Sequence, residues 1–120
     1  MSRQLVVFAL LLACPVASSG FTYRVPTEHP RIQGAIDLAS PSVVDTVLVG
    51  PGTYSERLRI RKALVLRGEM GAEVTTIDGG LAGNVITLNS VGRNCILEGL
   101  TVTGGYATSS DSVGAGIYLH

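Results

Sequence analysis

Nine carboxylates follow residue 20: Glu28, Asp37, Asp45, Glu56, Glu69, Glu73, Asp78, Glu98 and Asp111. Sugar-cleaving chemistry needs two carboxylates at a set separation, or a carboxylate-held calcium beside an arginine base. No two of these acids lie as close in sequence as an Asp-x-Asp or Asp-Asp ligand pair, so a catalytic pair could form only between segments brought together by the fold. Asp78 stands before Gly79, where its side chain suits the backbone of a turn, and Asp45 opens an apolar run in the same manner. Asp111 lies in the polar loop Thr108-Ser109-Ser110-Asp111-Ser112, the kind of segment on which function is often carried. His29 and His120 are far apart, no Cys/His spacing reads as zinc, and no serine sits in a Gly-x-Ser-x-Gly elbow. No phosphate loop is present either. The sequence therefore assigns no catalytic residue, no metal ligand and no cofactor.

One charged pattern stands out. Arg57, Arg59 and Arg61 alternate with Leu58 and Ile60, and Lys62 and Arg67 follow. On a strand this period of two sets the three arginines on one face and the apolar pair in the core. Such a stripe can hold an acidic polysaccharide through guanidinium–carboxylate pairs. The plainer and preferred reading is a solvated outer face, with its charge partly offset by Glu56 and Glu69.

Composition narrows the classes. The chain has 120 residues, nine basic and nine acidic, so it lacks the positive field of a nucleic-acid binder. A hydrophobic content of 46% with only 15% charged residues excludes a disordered chain and allows a real core. Fifteen glycines among many Val, Ile, Leu and Thr point to short strands and tight turns.

The first nineteen residues read as an export signal. A short segment bearing Arg3 precedes the apolar run Leu5 to Ala13, which is too short to span a membrane. Ala17 and Ser19 suit cleavage after Ser19. Leu11-Leu12-Ala13-Cys14 also resembles a bacterial lipobox, in which Cys14 would be lipidated and would tether the protein to a membrane. Either reading places the protein outside the cytoplasm, in the cell envelope or beyond. At most Cys14 and Cys95 remain, which implies no disulfide framework, and Cys95 reads as a small buried hydrophobe.

Residues 20–120 form one domain in this reading. A helix is expected over Arg31 to Ala39, where Ile32, Ala35, Ile36 and Ala39 make one stripe, Pro30 takes the first helical position and Ser40-Pro41 stops it. Short strands are expected at 46–49, 58–60, 63–66, 75–77, 85–88, 95–97, 100–102 and 117–119, with Gly, Asn and Asp between them. Two-residue hairpin turns are largely missing, and Leu64-Val65-Leu66-Arg67-Gly68 is echoed by Cys95-Ile96-Leu97-Glu98-Gly99. Self-similarity of this kind points to stacked coils, with the amphipathic helix laid over the first one as a cap.

The run Arg31-Ile32-Gln33-Gly34-Ala35-Ile36-Asp37, followed by Asp45 to Gly50, Pro51-Gly52-Thr53-Tyr54-Ser55-Glu56, Thr76-Ile77-Asp78-Gly79, Leu97 to Gly105 and Gly114-Ala115-Gly116-Ile117-Tyr118, resembles secreted right-handed parallel β-helix proteins of the pectate-lyase-like superfamily. The resemblance covers residues 31–120. It implies an all-β right-handed parallel β-helix, a solenoid with a short N-terminal amphipathic capping helix. It also implies an N-terminal fragment, because Gly-x-Gly-Ile-Tyr ordinarily opens a further coil. The superfamily holds lyases, hydrolases, esterases, epimerases and non-catalytic surface proteins, so the resemblance speaks to fold rather than activity. Two expectations follow. One is an exported, non-catalytic structural, adhesin-like or glycan-binding protein, whose partner is a polysaccharide or cell-surface glycan. The other is the start of a polysaccharide-active enzyme, a lyase, esterase or glycosidase, with its catalytic residues and any calcium beyond His120.

Overall fold

The apolar alternation of the sequence is realised as short strands in three sheets. The structure is a computed structural model and describes residues 20–89, 95–106 and 116–119. In chain order the elements are β1 (Thr22–Val25), α1 (Ile32–Leu38), β2 (Asp45–Val49), β3 (Gly52–Ser55), β4 (Leu58–Ile60), β5 (Leu64–Gly68), β6 (Thr75–Asp78), β7 (Ile86–Leu88), β8 (Ile96–Glu98), β9 (Thr101–Thr103) and β10 (Ile117–Leu119). The described chain is thus mostly strand with one short helix.

Every strand pairing among these elements is parallel. The sheets run β1-β2-β5-β8, β3-β6-β9 and β4-β7-β10. From β2 onward successive strands therefore fall in the first, second and third sheet in rotation, and each pairs with the strand three places on. The echo in the sequence has a direct structural meaning, since Val65, Leu66 and Arg67 lie opposite Ile96, Leu97 and Glu98 in register.

Register stacks like on like. Val47, Leu66 and Leu97 form one inward row of the first sheet, and Tyr54, Ile77 and Val102 one of the second. Leu58, Ile86 and Ile117 form a row of the third, alongside Ile60, Leu88 and Leu119. Val47, Leu58, Ile60, Leu66, Ile77 and Ile86 are buried, whereas Ile117 and Leu119 in the outermost rank are 40% and 70% exposed. Each fully buried aliphatic side chain contributes about 1.5–3 kcal/mol, which makes these rows the main source of stability.

The helix is seven residues long and could not persist alone in water. Ile32, Ala35 and Ile36 are buried against the strands. Arg31 is its N-cap yet makes no side-chain cap, and Pro30 lies two places before the first helical position expected for it. The cap is supplied from elsewhere. Glu56, almost buried, accepts from the amides of Ile32 at 2.8 Å and Gln33 at 3.1 Å. Lys62 donates to the carbonyls of Asp37 and Ala39 at the other end. An anion at the helix N-terminus and a cation at its C-terminus match its dipole. Gln33 completes the clamp: its Oε1 accepts from the amide of Arg59 and its Nε2 donates to the Arg59 carbonyl. The side-chain amide thus stands in for a neighbouring strand on the edge strand β4, satisfying backbone groups that would otherwise be open.

Two strands, β1 and β3, lie outside the runs expected from the sequence. In β3 only Tyr54 faces inward, and Thr53 and Ser55 point outward, so no apolar alternation marks it. β1 joins the first sheet through Tyr23 and Val25 opposite Val47 and Val49. Strands β5, β8 and β9 are each shifted one or two residues toward the C-terminus of the expected run.

One buried group conflicts with its surroundings. Thr75 is fully buried, and its hydroxyl has no hydrogen-bond partner among the described residues. Since an unsatisfied buried hydroxyl costs about 1–3 kcal/mol, Thr75→Val is expected to stabilise the fold by about 1 kcal/mol. A higher midpoint in thermal unfolding would show it; an unchanged or lower one would mean that the hydroxyl is satisfied.

Candidate functional site

The chemistry of the arginine stripe depends on what its neighbours already hold. β4 shows the expected alternation: Leu58 and Ile60 are buried, while Arg57, Arg59 and Arg61 are exposed. Neither Glu56 nor Glu69 forms an ion pair with these three arginines, although Glu56 adjoins Arg57 in the chain and its charge stays close to the stripe. Glu56 caps the helix and pairs with Arg31 at 3.9 Å, and Glu69 pairs with Arg24 at 3.2 Å. Lys62 is committed to the end of the helix, and Arg67 belongs to the first sheet, where it pairs with Glu98. Among the described residues no carboxylate forms an ion pair with Arg57, Arg59 or Arg61. Arg57 donates to the carbonyl of Ala82 at 2.8 Å, a neutral partner that fixes the side chain without cancelling its charge.

Arg57 and Arg59 line both of two clefts and Arg61 lines the second, and together they make a cationic ridge. The first, about 580 Å³, lies where β3 turns into β4 beside the turn after β6, and is lined by Arg31, Ser55, Glu56, Arg57, Leu58, Arg59, Asp78, Gly79, Gly80, Asn84 and Thr87. The second, about 400 Å³, lies toward the helix and is lined by Gln33, Ile36, Asp37, Arg57, Arg59, Arg61 and Lys62. Thr87 is opposite Arg59 across the β4–β7 pair, so the outward face of the third sheet carries a polar row beside the cations. Arg31, Ser55 and Asn84 were not legible as part of a site. Their place depends on β3, which lacks an apolar signature, and on the helix start docking over β4.

The two acids in the first cleft act as backbone acceptors. Glu56 holds the helix amides, and Asp78 accepts from the amide of Gly80 at 2.9 Å, the turn role expected of it. Asp45 likewise accepts from Phe21 at 2.8 Å and Ser40 at 2.7 Å. Among the described residues no group of three or more His, Cys, Asp or Glu side chains is placed to hold a metal ion. Burial pushes the Cys95 thiol up, with a backbone hydrogen bond to Leu64 opposing, and Cys95 packs against the core. Cys14, Asp111 and His120 lie outside the described residues.

Tyr54 titrates in a way that can be observed. Burial, and secondarily the negative charge of Glu56, raise its phenol above 10.0, and its hydroxyl donates to the Gly50 carbonyl at 2.8 Å. An acid raised on folding leaves stability intact below its unfolded value and removes it as pH climbs through the folded one. Stability should therefore fall as pH rises past 10.0. Tyr54→Phe should flatten that fall in urea titrations across the alkaline range, and an equally steep fall in the variant would assign it to other groups.

Comparison of the chain with protein-family models, with curated proteins and with solved structures finds no match. No helix among the described residues is long and apolar enough to cross a membrane.

Proposed function

We propose that the chain is the cap and first coils of an exported right-handed parallel β-helix, and that its arginine face holds an acidic polymer of the cell surface as a structural or adhesin-like binder. The rotation of strands through three parallel sheets supports the solenoid. A helix clamped over the first edge strand supports its reading as a cap. The binding reading rests on one observation: three exposed arginines line two clefts, and among the described residues none of them forms an ion pair with a carboxylate. Glu56, Asp78 and Asp45, the acids with the best claim to chemistry, serve the backbone instead. The apolar leader and its small-residue end support export, with Cys14 as the anchor if it is lipidated.

Affinity electrophoresis of the full chain through gels carrying an acidic or a neutral polysaccharide tests the proposal. The acidic polymer should retard the protein and the neutral one should not. Arg59→Ala should weaken the retardation about tenfold, equivalent to about 1.4 kcal/mol, because only the backbone of Arg59 serves the helix clamp. Equal mobility in both gels would contradict it.

A further inference from the structure

The spacing of the arginines restricts which acidic polymer fits. Arg57, Arg59 and Arg61 recur every second residue and are all exposed, Arg59 within β4 and the other two directly flanking it. Two residues of extended chain contain six backbone bonds and span about 6.6–7.2 Å. A polyol phosphodiester of the poly(glycerol phosphate) type has the linkage P–O–C–C–C–O–P, also six single bonds from one charge to the next. By the same bond count its extended repeat keeps step with the strand, setting one phosphate beside each guanidinium. In a 1,4-linked uronan each carboxylate hangs from a rigid ring and successive rings turn, so charges on one side do not recur at the strand period.

We propose that the arginine ridge binds a polyol phosphodiester polymer lying along β4, one phosphate to each arginine. This inference rests on the reading of the face as an acidic-polymer site and specifies its ligand. The planar fork of arginine suits phosphate oxygens. The first cleft offers Ser55, Asn84 and Thr87 to the hydroxyls of the polyol. Nucleic acid has the same six-bond repeat, but neither cleft is lined by an aromatic side chain on which bases could stack.

Calorimetric titration of the full chain with poly(glycerol phosphate), polygalacturonate and a single-stranded oligonucleotide, matched in charge concentration at low salt, tests the proposal. Poly(glycerol phosphate) should bind at least tenfold more tightly than either of the others. Arg59→Lys, which keeps the charge and removes the fork, should abolish most of that preference, and unchanged thermal unfolding would show that the fold is retained. A uronan that binds as tightly or more tightly overturns this inference and leaves the acidic-polymer reading intact. An oligonucleotide that binds as tightly overturns the polyol assignment. Failure of all three to bind overturns both the inference and the reading beneath it.

Discussion

Gly68→Ala is expected to destabilise the protein by about 3 kcal/mol, at the upper end of what overpacking usually costs. Gly68 ends β5 on the buried side, next to Gly99 in the following rank. A Cβ there would lie 1.9 Å from the Gly99 carbonyl oxygen and 2.9 Å from its carbon, with the Thr75 Cβ at 3.3 Å. The obstacle is backbone, so no rotamer change relieves it. Gly99 cannot move aside readily, because its φ of 68° is itself a glycine conformation. Urea denaturation of the variant should show a lower midpoint with little change in slope. Gly71→Ala is a useful contrast, because nothing lies within 4 Å of its Cβ and only its positive φ opposes the change. A Gly68→Ala midpoint equal to wild type would show that the two ranks do not approach as described.

Asp45→Ala should be comparably damaging, at about 3 kcal/mol, for an electrostatic reason. Asp45 is completely buried, and its two oxygens accept from Phe21 and from Ser40. It therefore ties the start of β1 to the turn that leaves the helix. Alanine removes two part-buried hydrogen bonds to a charged acceptor, a type that contributes about 1.5–3 kcal/mol each. Asp45→Asn should recover little, because an amide presents one acceptor and turns its NH2 toward the second donor. Glu73→Ala, at an exposed site, should change stability by less than about 0.5 kcal/mol. Chemical denaturation of the three variants decides the matter. An Asp45→Ala protein as stable as Glu73→Ala would mean that water, rather than the carboxylate, satisfies those amides.

Gly68 and Asp45 also show how much the residues disclosed in advance. The repeat of Leu64–Gly68 at Cys95–Gly99 is visible as letters, and its cause is physical: paired strands in one sheet meet the same inward packing and the same close approach at the glycine. Asp45 and Asp78 were legible as backbone acceptors because short acids beside turns have few other uses. The outward set of Arg57, Arg59 and Arg61 followed from alternation alone. The partners of Glu56 were not legible. It reaches residues 32 and 33, 24 and 23 positions away, and a long-range cap leaves no local pattern. Only that engagement, with Glu69 taken by Arg24, shows that Arg57, Arg59 and Arg61 are left without a direct carboxylate partner among the described residues. β3 was hidden because a strand that buries one side chain in four carries no alternation.

Arg57, Arg59 and Arg61 are the groups proposed to hold a polyanion. The most direct measurement is the affinity of the full chain for an acidic polymer over a range of salt concentrations, with Arg57, Arg59 and Arg61 intact and with all three replaced by alanine. Three contacts should give a slope of log affinity against log salt of about −2, by analogy with single-stranded polyanions. The account predicts that this slope collapses toward zero in the triple variant while its thermal unfolding stays close to wild type. An unaltered slope and affinity in a folded triple variant would contradict it.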